Sequence, residues 1–114
     1  MITKDEAIRA AMSFPGTYTD YPFDENWAAV RHSGSGKIFA LIFCREGRVW
    51  INCKGTPEKN GIRRELYDAV VPAYHMNKVH WISIILDGSM NDEQIVMILS
   101  DSYELTKPKR IKKK

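Results

Sequence analysis

No apolar stretch in this sequence approaches the roughly 20 residues that span a bilayer. The longest, Ile38 to Cys44, has the length of a strand. Cysteine is scarce: Cys44 and Cys53 cannot form a disulfide framework, and a chain that is 44 % apolar needs none. The first residues, Met1-Ile2-Thr3-Lys4-Asp5-Glu6, lack the basic start and apolar run of a secretory leader, so the expected location is cytoplasmic. No glycine-rich loop opens onto a helix. Gly34-Ser35-Gly36 leads into β-rich sequence, whereas a phosphate cradle needs a helix N-terminus aimed at the anion. A zinc signature is missing too, because His75 and His80 stand five apart with no cysteine or acid beside them. Neither a metal nor a cofactor is expected.

What is present fits one domain. The chain has 114 residues, and twelve aromatics supply enough bulk for a single core. The net charge of +3 hides an asymmetry, since six of the 17 basic residues (Lys107, Lys109, Arg110, Lys112, Lys113 and Lys114) fall in the last eight positions with no acid among them. The rest of the chain is mildly acidic. Residues 1–106 are therefore expected to form the domain and 107–114 a disordered basic tail, with a salt-sensitive, sequence-blind grip on polyanions as its functional reading.

Periodicity and punctuation predict the order α-β-β-β-α-β-β-α. Thr3 and Glu6 have capping-box spacing ahead of a helix over 4–13, which Pro15-Gly16 stops. Thr17 to Glu25 reads as an aromatic loop, followed by a strand over 27–32. Lys37 to Cys44 and Arg48 to Lys54 form a hairpin around Arg45-Glu46-Gly47. Thr56 and Pro57 start a second helix with Ile62, Leu66 and Ala69 inward, and Asn60-Gly61 weakens its first half. Val70 to Tyr74 is extended, His80 to Leu86 is a strand, and Asn91 caps a last helix whose inner stripe is Ile95, Ile98 and Leu99. Hairpin-linked strands imply an antiparallel sheet, here of about five strands with helices packed on it, hence α+β.

Two stretches hold side chains suited to binding. Along the second hairpin strand, Arg48, Trp50, Asn52 and Lys54 alternate with Val49, Ile51 and Cys53, so the polar set shares one face. Two cations, an amide and an indole on one surface suit phosphate contact with base stacking; an ordinary polar outer face would look the same. Tyr74-His75-Met76-Asn77-Lys78-Val79-His80-Trp81 gathers two imidazoles, an amide, an ammonium and two large aromatics. It admits a structural turn, an acid–base histidine or a ligand pocket. Asp20, Asp24 and Glu25 form a further carboxylate group, for which turn roles serve equally well. The hairpin register sets Cys44 against Val49 and Cys53 against Ala40, so the two thiols do not meet and are expected to be buried and inert.

Pro15-Gly16-Thr17-Tyr18-Thr19-Asp20-Tyr21-Pro22-Phe23, Lys37-Ile38-Phe39-Ala40-Leu41, Asn52-Cys53-Lys54, Pro72-Ala73-Tyr74-His75-Met76-Asn77-Lys78-Val79-His80-Trp81, Leu86-Asp87-Gly88-Ser89 and Asp101-Ser102-Tyr103-Glu104-Leu105 together resemble, in order and spacing, the MmcQ/YjbR family of small bacterial proteins. The match runs over residues 2–106. The resemblance implies a compact α+β domain similar to the CyaY-like arrangement and to a "double wing" DNA-binding architecture, and it brings no catalytic residues with it. Lys54, His75, Asn77, Lys78, His80 and Trp81 match its motif. The expected function is thus a monomeric, non-enzymatic DNA-binding domain that uses Arg48, Trp50, Asn52, Lys54, His75, Asn77, Lys78, His80 and Trp81, aided by the tail from Lys107 to Lys114. The alternative is a small-ligand or protein-interaction domain using the loop from Tyr74 to Trp81. The mildly acidic body fits a DNA-binding role only if its charges segregate by face.

Overall fold

In the computed structural model of the protein, which describes residues 1–108, side chains fix where each helix begins. Thr3 Oγ1 accepts from the Glu6 N–H at 3.1 Å, and the Glu6 carboxylate accepts from the N–H groups of Ile2 and Thr3. This capping box heads α1 (Lys4–Met12). The two backbone donors hold the Glu6 carboxyl down at about 2. Thr56 caps α2 (Pro57–Leu66), and Asn91 with Gln94 caps α3 (Asp92–Thr106).

Six strands make one antiparallel sheet: β1 (Thr17–Asp20), β2 (Ala28–His32), β3 (Ile38–Arg45), β4 (Arg48–Lys54), β5 (Val70–Pro72) and β6 (Trp81–Ile85). Their order is β1-β2-β3-β4-β6-β5. The extra strand is β1, which lies inside the stretch expected to be an aromatic loop. Its four residues, Thr-Tyr-Thr-Asp, sit at an edge with none fully buried, so they carry no hydrophobic alternation to read. The β3–β4 hairpin turns at Glu46 and Gly47, both at positive φ (53° and 76°), as a tight right-twisted hairpin demands. Pro72 sits on the edge strand β5, where its missing N–H breaks no ladder.

The three helices cover one face. Beneath them Val30, Ala40, Ile42, Ile51, Ile82 and Ile84 from the sheet meet Ala7 and Ala11 of α1 and Ile95, Ile98 and Leu99 of α3. The inner stripe of α3 is the one the periodicity predicts. That of α2 is not: Ile62 and Leu66 are 51 % and 67 % exposed, and the buried residues are Asn60 and Arg63. Ala69 is buried, but it lies beyond the helix. Polar anchoring replaces apolar packing here. Asn60 Nδ2 donates to the carbonyls of Gly55 (3.1 Å) and Val79 (3.0 Å), and Arg63 bridges to Asp101 of α3. Burial alone would push the Asp101 carboxyl up, but its bonds to Arg63 and Lys59 hold it below the usual range. Of the two thiols only Cys53 is buried, and burial pushes it up to about 12. Cys44 is exposed, contrary to expectation; it lies one residue before the end of β3 at the hairpin turn.

Register breaks once, between Val30 and Arg31, where Ala40 and Ile38 are the partners and Phe39 is the extra residue. The bulge turns Phe39 onto the helix face beside Phe14, Tyr103 and His32. It also frees the Phe39 carbonyl, which accepts from Ser102 Oγ at 2.6 Å, while Ser102 Oγ accepts from the Lys54 N–H at 2.8 Å. One α3 hydroxyl thus stands where β3 and β4 would have paired directly. Next to it, His32 Nε2 lies 2.9 Å from Thr106 Oγ1, whose hydroxyl donates to the Ser102 carbonyl at 2.7 Å. The imidazole is therefore the donor to Thr106.

Two outcomes follow from this packing. Burial holds His32 below its ordinary value of 6.5, so the neutral form contributes stability that is complete above 6.5 and declines as pH falls below it. Thermal melts between about pH 7.5 and 5 should show a shallower loss for His32→Gln than for the wild type; parallel slopes would exclude His32 as the cause. A methyl group at Gly55 would overlap Asn60 Oδ1. Gly55→Ala should accordingly lower unfolding free energy by about 2–4 kcal/mol in urea titrations, through strain and broken Asn60 bonds.

Candidate nucleic-acid interface

Strand alternation places Arg48, Trp50, Asn52 and Lys54 on the face away from the helices. Their cross-strand partners there are Phe43 and Leu41 of β3 and Ile85, Ser83 and Trp81 of β6. The expected row of four accessible groups does not exist, however: Trp50 is 7 % exposed and Asn52 fully buried. The chain between β5 and β6 folds back over the middle of the face. Asn52 Nδ2 donates to the Tyr74 carbonyl at 2.8 Å, the Tyr74 N–H donates to Ser83 Oγ at 2.9 Å, and Ser83 Oγ donates to Asn52 Oδ1. This closed ring of bonds clamps the Tyr74 backbone to the sheet. Trp50 is covered in turn, its indole N–H donating to the Arg45 carbonyl at 3.2 Å and its ring lying 4.8 Å under the Arg45 guanidinium. Asn52 and Trp50 are spent on structure. The sequence alternation was right about the face and silent about what lies on it.

The rest of the loop divides in the same way. Asn77 Oδ1 accepts from the N–H groups of Val79 (2.9 Å) and His80 (3.0 Å), and the Asn77 carbonyl accepts from the Trp81 N–H, so Asn77 builds the turn into β6. His75, Lys78 and His80 are exposed. His75 adopts φ 60°, and its ring packs on Tyr74 at 4.0 Å between centroids.

Two hollows open beside this loop. One, of about 390 Å³, is lined by Arg31, Lys37, Lys54, Met76, Trp81 and Leu105 among others. It opens where the Phe39 bulge and Ser102 part β3 from β4. Arg31 is already engaged, through Nε to Asp20 Oδ1 at 2.7 Å and through Nη1 to the Gly36 carbonyl at 3.0 Å. Lys37 and Lys54 make no ion pair among the described residues, and no carboxylate lines the hollow. The second, of about 360 Å³, is lined by Phe23, Trp27, Leu41, His75 and Met76. Trp27 lies flat on Phe43 (4.1 Å, 21°), and Phe23 meets it edge-on at 6.3 Å.

Of the nine residues expected at a binding face, the structure brings Lys54 and Trp81 together as cross-strand neighbours in the first hollow and puts His75 in the second. Arg48 stands apart at the hairpin turn. Sequence reasoning did not single out Arg31, Lys37 and Trp27, which line these hollows. Arg31 alternates with the buried Val30 and His32, which is a usable signal, whereas Lys37 and Trp27 gain meaning only from the bulge and the loop above them. The acids Asp20, Asp24 and Glu25 do not converge, since Asp20 holds Arg31 and Asp24 caps the Asn26 N–H. No three His, Cys, Asp or Glu side chains gather as metal ligands among the described residues, and no described helix is long and apolar enough to cross a membrane.

Charge divides unevenly between helices and strands. The helices carry Asp5, Glu6, Glu58, Glu65, Asp92, Glu93, Asp101 and Glu104 against Lys4, Arg9, Lys59, Arg63 and Arg64. Among the described residues the only carboxylate on a strand is Asp20, against Arg31, Arg45, Arg48 and Lys54.

A family model described as YjbR matches residues 12–105. The uncharacterized protein YjbR of Escherichia coli K12 is 30 % identical over 103 residues, covering 90 % of this chain and 86 % of that protein. The uncharacterized protein YyaQ of Bacillus subtilis 168 is 31 % identical over 119 residues, covering 94 % of this chain and 100 % of that one. Among solved structures, a Deinococcus radiodurans protein with a DUF419 domain superposes with a TM-score of 0.85 at 26 % identity, covering 99 % of this chain and 84 % of that chain. A Pseudomonas syringae protein gives 0.81 at 30 % identity, covering 92 % and 99 %. With the same α+β architecture in these neighbours and sequence similarity over nearly the whole described length, the chain belongs to the YjbR family.

Proposed function

We propose that this protein binds nucleic acid at the end of its sheet beside the last turn of α3, holding the phosphate backbone in the hollow between Lys37 and Lys54. One observation carries the reading: among the described residues two lysines without an ion pair, Lys37 and Lys54, line that hollow beside the Trp81 ring, and no carboxylate does. A groove of one charge sign with an aromatic wall suits a polyanion that also carries bases. The excess of acids on the helices and of cations on the strands supports it, because it lets an acidic body present a more basic sheet. The sequence also continues from Leu105 and Thr106, at the rim of the hollow, into Lys107, Lys109, Arg110, Lys112, Lys113 and Lys114. The residues after 108 lie outside the described structure, and their part is a non-specific attraction added to the groove.

Fluorescence anisotropy with labelled DNA at two salt concentrations tests this. Lys37→Glu and Lys54→Glu should each weaken binding about fivefold or more and flatten the salt dependence by about one ion. Arg9→Glu makes the same charge change on α1, on the far face, and should leave affinity nearly intact. If Arg9→Glu weakens binding as much, net charge alone is at work. A tail variant with Lys109→Gln, Arg110→Gln, Lys112→Gln, Lys113→Gln and Lys114→Gln should retain salt-sensitive binding; complete loss would move the activity to the tail and end the groove reading.

A further inference from the structure

The hollow bounded by Phe23, Trp27, Leu41, His75 and Met76 has no task in phosphate binding. Its size, about 360 Å³, suits one ring system. Its walls are flat and preset. Trp27 is stacked on Phe43 at 4.1 Å, and His75 is fixed by its 4.0 Å packing on Tyr74. His75 also holds a left-handed backbone, φ 60°, which histidine adopts more readily than most residues. Among the described residues no acid, lysine or arginine lines this hollow, so the part of a ligand that enters it is uncharged. The imidazole supplies the hydrogen-bonding edge, one donor and one acceptor in its neutral form. Met76 lines both this hollow and the cationic one, so the two adjoin.

We infer that the hollow receives one unpaired base of the strand whose phosphates lie at Lys37 and Lys54, with the ring against Trp27 and His75 at its polar edge. This rests on the groove reading and narrows it: the preferred ligand is single-stranded, because a duplex keeps its bases stacked within the helix. A planar, uncharged ring beside an anion site describes a nucleotide, and the same ring chemistry could come from a free nucleoside.

The test uses the full chain and four probes: short single-stranded oligo-dA, an abasic oligonucleotide of equal length and charge, free adenosine and duplex DNA. Anisotropy or competition gives the affinities. The indole N–H resonance of Trp27, assigned with Trp27→Phe, reports the hollow. Oligo-dA should bind about tenfold more tightly than the abasic strand and shift the Trp27 signal, which the abasic strand leaves in place. Phe23 is 71 % exposed at the rim, so Phe23→Ser keeps the core. It should shrink the ratio between the two strands while leaving abasic binding unchanged. Equal affinity of the two strands overturns the base subsite and leaves the cationic groove standing, as does an unchanged ratio in Phe23→Ser. No binding of either strand while duplex DNA still binds overturns the single-strand subsite alone; no binding of either strand or of duplex overturns both readings. Adenosine that shifts Trp27 as strongly and binds as tightly as the oligonucleotide overturns the strand and assigns the hollow to a free nucleoside.

Discussion

The three-way bond among Asn52, Ser83 and the Tyr74 backbone is the constraint on which the rest of the sheet's open face depends. All three partners are polar and lie over the middle of a sheet, where an unmade bond would cost about 1–3 kcal/mol. Satisfying each other fixes the chain from Ala73 to His80 against the strands. That placement buries Trp50, brings Arg45 over Trp50 and Tyr74, and sets His75 and Met76 as walls of the two hollows. A face that would otherwise be a plain polar sheet surface becomes a relief with two adjoining depressions.

The second shaping element is a mismatch. The residue that β3 gains at Phe39 breaks the ladder with β2, and Ser102 fills the gap that opens toward β4. On the helix side the bulge lets Phe39 join Phe14, His32 and Tyr103; on the open side it parts the strands beside Lys37 and Lys54. Core packing and the cationic groove are two results of one extra residue, in keeping with the tendency of bulges to sit next to functional sites.

Much of the fold was legible because local signals there agree with the tertiary structure. The capping residues Thr3, Thr56 and Asn91, the Glu46-Gly47 turn, the β3–β4 register and the inner stripe of α3 all follow from spacing alone. The failures have a common cause, which is that a partner from elsewhere changes what a residue does. Edge strand β1 is held by β2 rather than by its own pattern. Ile62 and Leu66 look like a core stripe, yet the buried bonds of Asn60 and Arg63 turn α2 the other way. Asn52 and Trp50 stand on the face that alternation predicts, and a loop 22 residues later in sequence removes Asn52 from solvent. Lys54 and Trp81 stay side by side beside the first hollow because they pair where the covering loop ends.

Ser102 has one more consequence. The Lys54 amide proton is donated to a helix and not to a neighbouring strand, so lifting α3 exposes it while the ladder from Ala40 to Arg45 can stay zipped. Its rate of exchange with solvent deuterium is therefore a clock for helix detachment, separable from the opening of the sheet itself. A single backbone proton inside a β-strand keeps time for the loosening of a helix.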